Sequence, residues 1–345
     1  MSETTQLSAD LAVSGKPRAA APRFQLARYR DLSLIPVIFV LGVIGFIVSP
    51  VFLTSDNLIG VLQQSSELSL LVLAEAMILI CGRMDLSLES TIGVAPVIAM
   101  WLVLPSSGPA TFHGIGLFPT WSSIPVCLLV GLVIGAINGF LILKLRVNGF
   151  IATLGMLTML RGLQDGVAQG KSIVAVPASF SYLGKTEWMG APAAVWICLL
   201  LFAAGGLALG YLRHGRALYA IGGNTEAARA AGIRVDRITW IVLALGGLIA
   251  AFAGVLYAGH YGAISATQGD GWIFQVFAAT VIGGVSLNGG RGTLFGALTG
   301  VVSLQLVVNV TTLGGVPPLW DKFLYGAIII VALIISRFAS GEKQD

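Results

Sequence analysis

Three carboxylates lie in stretches too apolar to carry charge without cause: Glu67 and Glu75 in SSELSLLVLAEAMILI, and Asp85 in CGRMDLSLES. A charged group at a bilayer centre costs about 2.5–3.5 kcal/mol on insertion scales, so each is a functional candidate. Gln64, Glu67, Leu71 and Glu75 recur at helical spacing and share one face. That face either lines a wet path or hydrogen-bonds to a neighbouring helix. Asp85, with Ser87 and Ser90, falls where one apolar run ends and the next begins. It can cap the following helix at Leu86 or just after, or it can serve transport as a carboxylate.

A second cluster is the charged interruption RHGRALYAIGGNTEAARAAGIRVDR, residues 213–237. Ala and Arg favour a helix of about two turns, with Asn224 or Thr225 as its N-cap, Glu226 in the first turn and Gly232 closing it in a left-handed conformation. Helices below about 12 residues are marginal alone in water, so this one needs a partner to persist. Ala227, Ala228, Ala230 and Ala231 leave little side chain around the axis, so a partner's backbone can come close, with Glu226 and Arg229 to orient it. The segment is either such a docking knob or a plain connector between two membrane helices.

Other chemistries lack their residues. Gly170-Lys171-Ser172 imitates the end of a phosphate-binding loop, but Asp165 stands where the fingerprint needs glycine, and no strand is expected before it. No nucleotide is therefore expected on this chain. His113, His214 and His260 fall in three separate expected loops without paired spacing, so no metal is expected. Cys81, Cys127 and Cys198 sit in or beside apolar runs as small hydrophobic filler. The GGVSLNGGRG run, 283–292, reads as a glycine-rich break at the end of a membrane helix. With no GxSxG elbow or paired CxxC, an enzyme is not expected.

The elements that must position these residues follow from composition. Of 345 residues 56% are hydrophobic and 10% charged, with mean hydropathy +0.89, whereas soluble domains carry about 25% charged residues. The expectation is an all-α integral membrane protein of about ten transmembrane helices, near 32–49, 61–80, 86–104, 124–143, 147–165, 192–211, 238–259, 272–287, 292–311 and 319–337. Every Lys and Arg except Arg161, Lys171, Lys185 and Lys322 falls on one side if both termini are cytoplasmic, as the retention of basic residues inside the cell requires. The net charge of +4 is thus a topology signal, and no nucleic-acid partner is expected. Residues 1–31 read as a disordered basic cytoplasmic tail, 32–337 as the transmembrane domain with its cytoplasmic loop at 212–237, and 338–345 as a cytoplasmic tail. Two outer loops, 105–123 and 162–191, are expected to form lids or interfacial pieces, with Trp121 and Trp188 at the membrane boundary.

The chain also repeats itself. GAINGFLILKLRVN from 135 matches GALTGVVSLQLVVN from 296 at Gly, Ala, Gly, Leu, Leu, Val and Asn. Gly131, Gly135 and Gly139 echo Gly292, Gly296 and Gly300, and both sets suit close helix packing in lipid. The first copy runs inward and the second outward, which makes the halves inverted repeats.

Four stretches resemble the permease subunits of bacterial ATP-binding cassette (ABC) sugar importers of the ribose, xylose and galactoside group. CGRMDLSLES resembles that family's GGxDLSVGS segment, and VNGFIATLGMLTMLRG its FIATLGT helix. GRALYAIGGNTEAARAAGI is similar to its cytoplasmic loop, and VIGGVSLNGGRGTLFGALTG to its glycine-rich run. Glu226-Ala227-Ala228 with Gly232 further resembles the EAA coupling loop of importer permeases, which fits a cleft in a cytoplasmic ATPase. The chain departs from the pattern at Arg83, Met84, Glu75 and Glu89, the last replacing a usual glycine.

The resemblance implies a multi-pass protein of the bacterial inner membrane, working beside a second copy of itself or a related permease. It also implies a separate ATPase that uses ATP and Mg, and a periplasmic or lipid-anchored binding protein that delivers a monosaccharide. It assigns coupling to Asn224, Thr225, Glu226, Ala227, Ala228, Arg229 and Gly232. It leaves Gln64, Glu67, Glu75, Asp85, Ser87, Asn148, Phe150 and Thr153 as pathway or gating candidates. Branched-chain amino acid import, and ion-coupled transport through Glu67, Glu75 or Asp85, remain the alternatives.

Overall fold

Each of the ten apolar runs forms a helix in the computed structural model, which describes residues 34–107, 112–174 and 176–340 (backbone alone at 332, 333 and 335–340). The helices are α1 (Leu34–Val48), α2 (Ser55–Ile80), α3 (Leu88–Val103), α4 (Ser123–Leu143), α5 (Gly149–Ala168), α7 (Ala193–Tyr211), α10 (Val235–Tyr261), α11 (Trp272–Ile282), α12 (Leu294–Leu313) and α13 (Asp321–Ser340). The expected tail over 1–31 lies outside the described residues. So does the end of the expected C-terminal tail, whose first residues instead continue α13.

Among the described residues four helices are long and apolar enough to cross a membrane: Thr120–Leu143, which joins a 3-10 turn to α4, and α7, α10 and α12. The apolar α1, α3 and α11 are shorter. The protein is a helical membrane protein whose strands, among the described residues, amount to one two-residue hairpin, Glu187–Trp188 with Ala191–Pro192. With the short helix α6 (Ala178–Lys185), that hairpin occupies the loop expected to form a lid. Trp121 is exposed, and Trp196 donates its indole N–H to the Trp188 carbonyl at 2.9 Å.

Helices α2 and α10 form the centre. From Ser65 to Ala76 every residue of α2 is buried, its serines and carboxylates included. Around this pair the contacts recur in duplicate: α10 packs on α4 and α3, while α2 packs on α12 and α11. Likewise α3 packs on α4 and α5, while α11 packs on α12 and α13.

The repeated glycines do not share a partner. A Cβ at Gly131 or Gly135 would run into the Gly247 or Leu243 carbonyl of α10, and one at Gly139 into Trp240. On α12, Gly296 and Gly300 press against the Gly283 and Ala279 carbonyls, and Gly292 against Val285, so this stripe seats the end of α11.

Two breaks shape the interior. Pro96 lies inside α3 and has no N–H for the Ile92 carbonyl four residues earlier. Gln268 supplies the missing donor, its Nε2 meeting Ile92 O at 2.7 Å. Helix α11 has 11 residues, which at 1.5 Å per residue is about 16 Å, roughly half the hydrocarbon thickness.

Candidate functional site

The 213–237 interruption folds into two helices where the sequence suggested one. Helix α8 (Arg213–Gly223) buries Gly215, Ala217, Leu218 and Ile221 against the membrane domain. Asn224 then breaks the chain with extended backbone and caps α9 (Thr225–Ala230), its Oδ1 accepting the Ala227 N–H at 2.9 Å. At the far end Gly232, at φ +81°, reverses the chain, with its N–H to Arg229 O at 3.0 Å and Ile233 N–H to Ala228 O at 3.1 Å. Gly232 is the closing residue the sequence required.

Exposure corrects the picture of an alanine knob. Ala228 is 4% exposed and belongs to the core, so it anchors the turn and is not presented to a partner. Glu226, Ala227, Ala230 and Ala231 are exposed, with Thr225 half-buried. Arg229 pairs with Asp236 at 3.2 Å on the surface, and Glu226 is exposed.

Beneath this turn lies a junction of glycines. A Cβ at Gly222, near the end of α8, would collide with the Ile80 carbonyl at the end of α2. That carbonyl accepts the Gly290 N–H at 2.9 Å. Gly82, Gly289 and Gly290 all adopt positive φ there, and a Cβ on Gly289 would meet Gly82 at 2.6 Å. The Tyr219 hydroxyl donates to the Gly292 carbonyl at 2.9 Å. The α9 turn is therefore linked, through α8, to the end of α2 and to the 286–292 turn before α12.

The pathway candidates divide. Glu67, Glu75, Asp85, Ser87 and Thr153 are buried, whereas Gln64, Asn148 and Phe150 are exposed. Gln64 does not share the environment of Glu67. Its neighbour Gln63 does, donating from Nε2 to Glu67 Oε1 at 2.7 Å. Asn148 caps α5, accepting the Ile151 N–H at 3.2 Å, and Thr153 returns its hydroxyl to Gly149 O at 2.9 Å. Asp85 Oδ1 accepts the Ser87 N–H at 2.9 Å and its hydroxyl at 2.7 Å, and Asp85 Oδ2 accepts Asn138 Nδ2 at 2.9 Å. The Asp85 backbone N–H reaches both Glu75 oxygens at 3.4 Å. Ser87 rather than Asp85 is the N-cap of α3, and Ser90 bonds across to Leu157 O at 2.7 Å.

Sequence reasoning missed His260 and Arg161. His260 lies in the last turn of α10, not in a loop, and its Nδ1 sits 2.7 Å from Glu67 Oε1. Likewise His214 lies in α8. Arg161 reaches Glu89 at 3.3 Å across helices 72 residues apart, a separation with no local sequence signal.

The family described as branched-chain amino acid transport system / permease component matches residues 57–333. The chain is 31% identical over 309 residues to the ribose import permease protein of Escherichia coli (strain K12), covering 88% of this chain and 92% of that protein. It is 32% identical over 310 residues to the autoinducer 2 import system permease protein of Klebsiella pneumoniae subsp. pneumoniae, covering 90% of this chain and 87% of that one. A ribose import permease protein of Haemophilus influenzae is 29% identical over 326 residues, covering 93% and 97%.

Proposed function

The chain belongs to the branched-chain amino acid transport system / permease component family, and from that premise we propose that it is the membrane subunit of a bacterial ABC importer for a monosaccharide. Import permeases for ribose and for autoinducer 2, similar along about nine-tenths of the chain, support that cargo class. The branched-chain amino acid alternative has the family's description in its favour, and the cargo assay distinguishes the two.

The α9 turn carries the mechanism. It is capped at Asn224, closed at Gly232, anchored by Ala228 and, apart from half-buried Thr225, exposed, with Glu226 outward. A six-residue helix cannot stand alone, and anchoring by one side chain leaves a surface for an ATPase cleft. ATP, with Mg, binds and is hydrolysed in that partner. Movement of the turn is handed through α8 and the glycine junction to α2 and α12. Duplicate packing about α2 and α10, with the match of 135–148 to 296–309, supports ten crossings in two inverted repeats, and the distribution of Lys and Arg supports cytoplasmic termini. A second permease copy completes the path in the inner membrane, and a periplasmic binding protein delivers cargo to its outer face.

The test is cross-linking. Glu226→Cys in the assembled membrane complex should form a cross-link with an ATPase subunit through a short maleimide–benzophenone reagent, which bonds the new thiol and, on illumination, any neighbouring C–H, and Leu319→Cys, in the segment before α13, should not. A Glu226→Cys variant that cross-links to no ATPase would remove the coupling assignment.

A further inference from the structure

Helix α11 starts half-buried beside α3, and its first amides need partners. Glu89, in the first turn of α3 and 5% exposed, supplies them: Oε1 accepts the Gly271 N–H at 3.1 Å and Oε2 the Ile273 N–H at 3.0 Å. The same carboxylate takes Arg161 Nη2 of α5 at 3.3 Å. Arg161 Nη1 in turn donates to the Gln268 carbonyl at 2.8 Å and to Gln164 Oε1 at 3.2 Å, while Gln164 Nε2 donates to Ala266 O at 2.9 Å. Gly269, at φ +87°, lets the loop pass so close that a Cβ there would strike the Glu89 carbonyl. One carboxylate thus joins α3, α5 and α11.

We propose that Glu89 is a positioning residue: it is the resident anion held by Arg161 and the α11 N-terminus, and it fixes where α11 begins. Helix N-termini and guanidinium groups both attract anions. A chain without the Glu89 carboxylate would hold a positively polarised vacancy of carboxylate size. With the carboxylate in place, an anionic solute has no seat there. The effect on uptake rests on the permease reading, whereas the positioning role does not.

The experiment uses the full chain with its ATPase and cognate binding protein in nanodiscs and proteoliposomes, and it compares wild type, Glu89→Ala and Glu89→Gln. Thermal unfolding is read with sodium formate against sodium chloride at equal ionic strength. Uptake and ATPase rates are read in parallel. Formate should restore the unfolding temperature of Glu89→Ala toward wild type and recover uptake that has fallen roughly tenfold or more. It should do nothing for Glu89→Gln, where the amide fills the space and points a donor at donors. A role in packing alone would respond to formate in neither variant. Wild-type behaviour of Glu89→Gln, or no formate response in Glu89→Ala, overturns the proposal. If Glu89→Ala does not insert, Arg161→Ala tested with methylguanidinium gives the mirror-image measurement, and absence of rescue there overturns it equally. Formate rescue of stability without any ATP-driven uptake, even in wild type, would refute the permease reading and leave the positioning role standing.

Discussion

Replacing Gly232 by alanine isolates the backbone geometry of the docking turn. The residue sits at φ +81°, and a Cβ would meet nothing within 4 Å, so no collision confuses the result. The cost is that of holding an L-residue in the left-handed region, about 1–2 kcal/mol. That lowers the closed turn relative to its open forms by a factor of about 5–30. Because the ATPase is taken to bind only the closed turn, the apparent docking affinity falls with the fraction of chains that hold it, by at most the same factor. Asparagine tolerates left-handed backbone, so Gly232→Asn should recover most of the loss. Proline, locked near φ −65°, should remove the turn altogether. The assay is sugar taken up per ATP hydrolysed in proteoliposomes, with ATPase co-purification as the docking measure. The expected order is wild type, then Asn, then Ala, then Pro, at equal membrane insertion. Equal coupling in wild type and Gly232→Ala, or Gly232→Asn as poor as Gly232→Ala, would refute the reasoning.

Glu226→Ala should uncouple hydrolysis from uptake while insertion, measured by membrane fractionation, is unchanged, because the side chain is exposed and bears on no core residue. Asn224→Ala removes the cap on the Ala227 N–H and should weaken docking by an amount equivalent to about 1 kcal/mol, read from ATPase co-purification. Gly135→Ala drives a methyl group into the Leu243 carbonyl and should destabilise by about 1–3 kcal/mol. Gly155→Ala, with nothing within 4 Å, should be neutral or stabilising by up to about 1 kcal/mol. Unfolding in mild detergent separates the last pair.

What the sequence made legible follows from range. All ten helices and the capped α9 turn are signalled by residues within a few positions of one another: apolar runs, Asn224 and Gly232. Helix α8 escaped because Arg213, His214 and Arg216 read as loop charge, although Ala217, Leu218 and Ile221 supply a narrow apolar face. Gln64 was chosen over Gln63 because spacing alone cannot tell which of two adjacent glutamines turns inward. The Glu67–His260 and Glu89–Arg161 contacts join distant segments, and only tertiary packing brings them together. The glycine stripes were visible as a repeat, but a stripe does not name the helix it meets, and the two copies meet different ones.

The central claim is that this chain is a permease driven by a separate ATPase. The most direct test is radiolabelled ribose uptake into proteoliposomes holding the chain, its co-purified ATPase and a cognate binding protein, with isoleucine as the competing cargo class. Uptake that requires ATP inside the compartment where α9 lies, fails without the ATPase and persists when ion gradients are collapsed is the predicted result. Uptake driven by an ion gradient with no ATPase present would contradict it.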